Sequence, residues 1–237
     1  MKRYRFVALC TLLVVMSGAA VTSSNGHYKN IHLVAGIADI LLIASLRRWS
    51  VLALAAVEAA IGWFGASGPV TGTLHACLAA VLFAWISVSP SITCPEQVQD
   101  YGRPSLRTLS AMAAFLVLVQ VGFGAGFRHS AVGILPHLLG ALIVALFIVI
   151  VGAFVSTQFP KHATLRPLAV WLMTITGIQV FLGLTAFLMR LMNMQILTIS
   201  VAHVALGNLT LAVTVMLAVE IRRCVVGGGA VGAVNGH

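Results

Sequence analysis

The sequence predicts an all-α integral membrane protein of eight transmembrane helices, arranged as two parallel four-helix bundles related by a pseudo-twofold axis. Three observations predict it. Of the 237 residues, 60% are hydrophobic and only 8% are charged, with a mean hydropathy of +1.04; water-soluble domains of this length do not carry such a composition. Apolar stretches recur along the chain, most close to the roughly 20 residues that cross a hydrocarbon core of about 30 Å. The second half of the chain also echoes the first.

The apolar stretches fall at about 6 to 22, 30 to 46, 49 to 66, 71 to 89, 108 to 127, 132 to 156, 167 to 189 and 196 to 219. The second is the shortest. The formal net charge of +9 does not form a nucleic-acid patch, because the basic residues lie in the gaps between apolar runs. Lys2, Arg3, Arg5, Arg47, Arg48, Arg103, Arg107, Lys161, Arg166, Arg222 and Arg223 fall at one set of alternating helix ends; Lys29, Arg128 and Arg190 fall at the other. That bias assigns the crowded side, and with it both termini, to the cytoplasm of a cell-membrane protein. Each even-numbered helix then runs from outside to inside.

Met1 to Ser24 has a second reading as a signal peptide, with a basic start, an apolar centre and small residues at Gly18-Ala19-Ala20. The repeat favours its retention as a helix. Cys10 and Cys77 lie within helices, and Cys94 and Cys224 lie on the cytoplasmic side, so no structural disulfide is expected. The organisation expected is a first four-helix unit at 1–92, a cytoplasmic linker at 93–106, a second unit at 107–224 and a flexible, glycine-rich tail at 225–237.

Gly18 to Ser24 at the end of the first helix corresponds to Gly124 to Ser130 at the end of the fifth. The third helix reads Val57-Glu58-Ala59-Ala60-Ile61-Gly62, and the seventh reads Ile178-Gln179-Val180-Phe181-Leu182-Gly183. Because four is even, the two units share one orientation, and their symmetry axis lies along the membrane normal.

Every even helix carries a histidine near its outer end: His32, His75, His137 and His203. A lone histidine at a helix end is usually an interfacial hydrogen-bonding residue, but ionisable groups inside a membrane are costly and tend to be functional. Four at one depth and at matching repeat positions point to ligation. Two imidazole nitrogens on facing helices can clamp a heme iron from both sides, and the pairings expected are His32 with His75 and His137 with His203.

The residues that carry this pattern resemble the heme A synthases of cytochrome oxidase assembly. Members have eight helices in two halves, with a histidine on each even helix. The resemblance covers nearly the whole chain and is sharpest at Gln120 to Ala125, Arg128, Ser130, Pro136-His137, Gln179 to Gly183 and His203 to Gly207. It implies a b-type heme cofactor on His137 and His203, with Arg128 at its propionates, and a substrate-heme site at His32 and His75. There a methyl group of heme O would become the formyl group of heme A. The implied partners are membrane lipid, heme O or heme b, and a heme O synthase or cytochrome oxidase subunits. This chain has Lys29 where the family usually has a glutamate, and lacks the outer-loop cysteine pair of many members. Alternatives are a non-catalytic b-heme electron carrier or assembly factor, and a heme-free transporter or scaffold.

Asp39 and Glu58 are the acids in apolar stretches; they serve either as a proton route or as helix-to-helix hydrogen bonds. Gln120 and Gln179 share the repeat position of Glu58 and read as interhelical hydrogen-bonding groups. Arg190, like Arg128, stands at an outer end, where it either meets a propionate or snorkels. Met189, Met192 and Met194 are soft groups that fit Cu(I) but read first as membrane-surface anchors. His27 and His129 lie in outer loops, and His162 and His237 read as surface residues.

Overall fold

The computed structural model describes residues 2–24, 26–65, 68–88, 94, 96–194 and 196–227. Among these the chain is nearly all helical. In order it forms α1 (Lys2–Ser23), α2 (Lys29–Ala44), α3 (Trp49–Gly65), α4 (Pro69–Val88), β1 (Val98–Asp100), α5 (Leu106–Arg128), α6 (Ile134–Gln158), α7 (Leu165–Leu191), α8 (Leu197–Cys224) and β2 (Val225–Gly227). Pro69 opens α4, where a missing backbone N–H costs nothing, and Ser105 caps α5 by accepting from the amide of Thr108.

Six of the eight helices are long and apolar enough to cross a membrane. With 16 and 17 residues, α2 and α3 are about 24–26 Å long at the rise of an α-helix. The outer surface is apolar: Phe64 is 85% exposed, Trp49 80% and Leu142 71%, and Ile143, Leu146 and Ile150 continue the exposed stripe of α6. Water does not tolerate such a continuous surface; a lipid environment does, because every helix satisfies its own backbone. The chain is in this sense a multi-pass membrane protein.

Within the first half α1 packs on α2, α2 on α3, α3 on α4 and α4 back on α1, closing a ring. The second half repeats it, from α5 on α6 through α7 on α8 to α8 on α5. The halves meet where α1 packs on α8, α4 on α5 and α4 on α8. Helix α8 is the most buried, and Leu211, Leu217 and Ile221 from it join Phe83 of α4, Val117 of α5 and Ile148 of α6 in the main core. A smaller core of Val7, Ile43, Val51, Leu82 and Ile86 joins α1 to α4.

The linker and the end of α8 depart from expectation. Val98–Asp100 pairs in parallel with Val225–Gly227, and Cys94 is joined to Cys224 by a disulfide. The expectation of no cysteine pairing is therefore corrected. Its physical reason is the strand pairing, which draws the linker across to the end of α8 over a separation of 130 residues. The remainder of the glycine-rich tail, from Gly228 to His237, lies outside the described residues.

Candidate histidine pair sites

The four histidines take two repeating positions in their helices. His32 and His137 are the fourth residues of α2 and α6; His75 and His203 are the seventh residues of α4 and α8. The two rings of each half meet. Those of His32 and His75 lie 6.1 Å apart between centroids with planes at 75°, and those of His137 and His203 also lie 6.1 Å apart, at 88°.

Close approach of the preceding helix sets each ring. A Cβ on Gly18 would lie 3.1 Å from Cε1 of His32, on Gly62 2.6 Å from that of His75, on Gly124 2.9 Å from that of His137, and on Gly183 2.8 Å from that of His203. Three of these are closer than side-chain carbons come, so glycine at those positions makes room for an imidazole. The repeated glycines thus have one common purpose, which their spacing in the sequence does not disclose.

Polar partners then orient the rings. Ser17 uses its hydroxyl proton on Val14 O at 2.7 Å, so it accepts from Nδ1 of His32 at 2.9 Å. Nδ1 of His75 donates to the Glu58 carboxylate at 3.0 Å and to the Glu58 carbonyl at 3.1 Å. In the neutral tautomers that carry the proton on Nδ1, both Nε2 atoms of the first half are free to accept. In the second half the Gln120 amide lies 2.9 Å from Nδ1 of His137 and 2.8 Å from its carbonyl oxygen, and the Gln179 amide lies 3.5 Å from Nε2 of His203. Oε1 of Gln120, Oε1 of Gln179 and Nδ1 of His203 are buried without a partner among the described residues. An orphaned buried polar atom costs about 1–3 kcal/mol, and in a native site it points to a missing partner.

Two imidazoles clamping one metal are separated by two bonds of about 2 Å plus the two ring half-widths, about 6 Å in all. Both pairs match that span. Bis-imidazole ligation of a heme iron fits the donor set, the glycine cradles and the orphaned nitrogen of His203. In the second half it calls for a proton on the imidazole nitrogen opposite the metal. The free Oε1 of Gln179 can accept that proton from His203 once its amide turns over, whereas the Gln120 amide is fixed by its bond to the His137 carbonyl oxygen.

The two membrane acids have separate partners. Asp39, buried at 5% exposure, accepts from Thr11 of α1 at 3.2 Å, while Glu58 serves His75. Asp39 thus makes the helix-to-helix hydrogen bond, and Glu58 belongs to the first histidine pair. Arg128 reaches into the first half: its guanidinium donates to Ala19 O at 2.9 Å, to the Thr22 hydroxyl and to Ser23 Oγ at 3.5 Å. These groups end α1, where carbonyls lack helical partners and a cation is favoured. Arg128→Ala is expected to lower the melting temperature of the purified protein by several degrees, at about 2–4 °C per kcal/mol lost for a chain of this size. Arg128→Lys should keep part of it; an unchanged melting temperature in Arg128→Ala would deny the tie.

Lys29 is exposed at the start of α2, His27 is exposed in the adjoining loop, and Met192 and Met194 are exposed beyond α7. Arg190 lies over the ring of Phe127 at 4.9 Å. His129 ends α5, where burial and then the neighbouring Arg128 hold its imidazole below the ordinary value. His162, expected at the surface, is instead 4% exposed, and its Nδ1 accepts from the amides of Thr164 and Leu165 at 3.2 Å. It caps the start of α7, which the charged neighbourhood of Lys161 concealed. His237 lies outside the described residues.

Compared with known proteins, the chain matches no protein-family profile and no curated protein sequence.

Proposed function

We propose that this chain is a heme-binding membrane protein, with one bis-histidine site in each half, and that it works as an oxidoreductase resembling heme A synthase. The observation that carries the reading is the duplicated pair, two imidazoles 6.1 Å apart in each half, each ring seated on a glycine. The architecture that goes with it is eight spans in two parallel bundles related by an axis through the contact of α4 with α8. The packing of α1 on α8 and of α5 on α4 is the symmetric pair that such an axis requires. The bias of basic residues towards one set of helix ends supports cytoplasmic termini in a cell-membrane protein, and α2 and α3 are its two short spans.

In this reading His137 and His203 hold a b heme, and His32 and His75 form the site for the heme whose methyl group is oxidised. His137 and His203 would hold the b heme, which would supply one-electron chemistry there. The residues of the chain do the rest. Glu58 holds the Nδ1 proton of His75 and makes its Nε2 a stronger donor, Ser17 does the same for His32 more weakly, and the glycines fix the ring planes. Heme O would be the substrate, delivered through lipid or from a heme O synthase, with cytochrome oxidase subunits receiving the product.

A second reading, a two-heme electron carrier or assembly factor, is favoured by two observations: the pairs are equal in span, and Lys29 stands where the synthases usually have an acid. Optical and pyridine hemochrome spectra of the purified protein test the shared claim, and heme extraction after coexpression with a heme O source separates the two readings. Heme A among the extracted hemes supports the synthase. Reversible b-type spectra without heme A support the carrier, and absence of Soret absorbance in intact protein would overturn both in favour of a heme-free transporter or scaffold.

A further inference from the structure

A second constellation lies at the opposite, basic end of the molecule, away from the histidine pairs. Cys94 and Cys224 are bonded there, with Cα atoms 5.5 Å apart, and their sulfurs and a nitrogen of His162 all lie within 4.8 Å of one another. We propose that Cys94 and Cys224 form a thiol–disulfide exchange site for low-molecular-weight thiols and disulfides. Three observations carry it.

First, the pair stands beside Arg222 and Arg223, on the side that the charge bias of the chain assigns to the cytoplasm. Disulfides in that compartment are reversible catalytic or sensing elements rather than permanent staples. Second, the site accommodates the reduced state. Sγ of Cys94 lies 2.9 Å from the carbonyl oxygen of Glu96, so a thiol there has an acceptor waiting. Nε2 of His162 reaches the same oxygen, at 3.1 Å. His162 has both nitrogens engaged, Nδ1 by the amides of Thr164 and Leu165 and Nε2 by Glu96. This arrangement favours a wall that positions the pair over a third ligand to a metal. Third, the two sulfurs differ in access: Cys224 is fully buried at 0% exposure, whereas Cys94 is half-buried.

That asymmetry assigns the roles. A small thiolate attacks the Cys94 sulfur, forming a mixed disulfide there and releasing Cys224 as a thiolate that takes up a proton. A second small thiol then displaces Cys94, so that two protein thiols and one small-molecule disulfide result from one protein disulfide and two small thiols. The reverse sequence oxidises the pair. Oxidation covalently ties the linker between the halves to the end of α8 beside the β1–β2 pairing, and reduction leaves that pairing to hold alone.

The test uses the unmodified full chain, equilibrated with mixtures of reduced and oxidised glutathione, quenched in acid and alkylated. Mass spectrometry then reads the peptides holding Cys94 and Cys224. The pair is expected to pass reversibly from disulfide to dithiol across the mixtures, with Cys224→Ser accumulating a glutathione adduct on Cys94 and Cys94→Ser leaving Cys224 largely unmodified. A bond that resists reduction until the protein unfolds, a pair that stays reduced in every mixture, or a metal ion bound in one-to-one ratio that blocks alkylation would each overturn the proposal. None of these outcomes depends on heme, so the proposal stands or falls separately from the histidine sites.

Discussion

Replacing His203 by alanine is expected to remove the heme of the second half and to cut the heme-to-protein ratio of a fully loaded preparation by about half. His203 has a buried nitrogen that no group among the described residues satisfies, and its ring lies 6.1 Å from that of His137. On the proposed ligation, removing His203 takes away a metal–nitrogen bond. Even the loss of a hydrogen bond behind a ligand costs 10–100-fold in affinity. His137→Ala should therefore do as much as His203→Ala, and the double variant no more than either, because both act on one bound group. Combining His203→Ala with His32→Ala should instead be additive and leave little heme. The pyridine hemochrome, normalised to protein, reads these four variants and His32→Ala alone. Heme content unchanged in both His137→Ala and His32→Ala would remove the ligand assignment.

The helices were readable in the sequence because lipid solvation makes each of them a continuous apolar run; their ends were not. Helix α1 begins at Lys2 and α8 continues to Cys224, beyond the apolar windows, since Lys2, Arg3 and Arg222 are good helix formers with long charged side chains and the buried Glu220 is paired with Arg223 at 3.1 Å. At the other extreme α2 stops at Ala44, short of Leu46, where the chain turns through Arg47 at a φ of 55°. The four histidines and their pairings were readable because they repeat at one depth. The partners around them were not, because Ser17, Glu58, Gln120 and Gln179 come from neighbouring helices whose rotation no single-helix pattern specifies. The Cys94–Cys224 contact was hidden for a different reason: it depends on two three-residue strands, too short for any alternation to register.

The glycine cradles give the other large effect. Gly62→Ala would place a methyl group 2.6 Å from Cε1 of His75, and the ring cannot simply swing aside, because Glu58 holds its Nδ1 from both its carboxylate and its carbonyl. Either that hydrogen bonding breaks or α3 and α4 separate. Overpacking of this kind costs about 1–3 kcal/mol. The expected result is loss of heme from the first half with the second half still loaded, so that the heme-to-protein ratio falls by about half. Gly36→Ala and Gly177→Ala are the matched controls, since a Cβ at either meets nothing within 4 Å. Alanine is the better helix former by about 1 kcal/mol, so both should keep full heme and melt no lower than the parent. If Gly62→Ala and Gly36→Ala retained heme equally, the imidazole would not need the glycine. The repeat of glycines would then serve helix packing alone. A selective loss in Gly62→Ala, mirrored in the second half by Gly183→Ala, would instead tie a glycine of each half to the same task. That link cannot be drawn from any one helix, and it accounts for why both halves of the chain keep a glycine wherever the next helix presents a histidine.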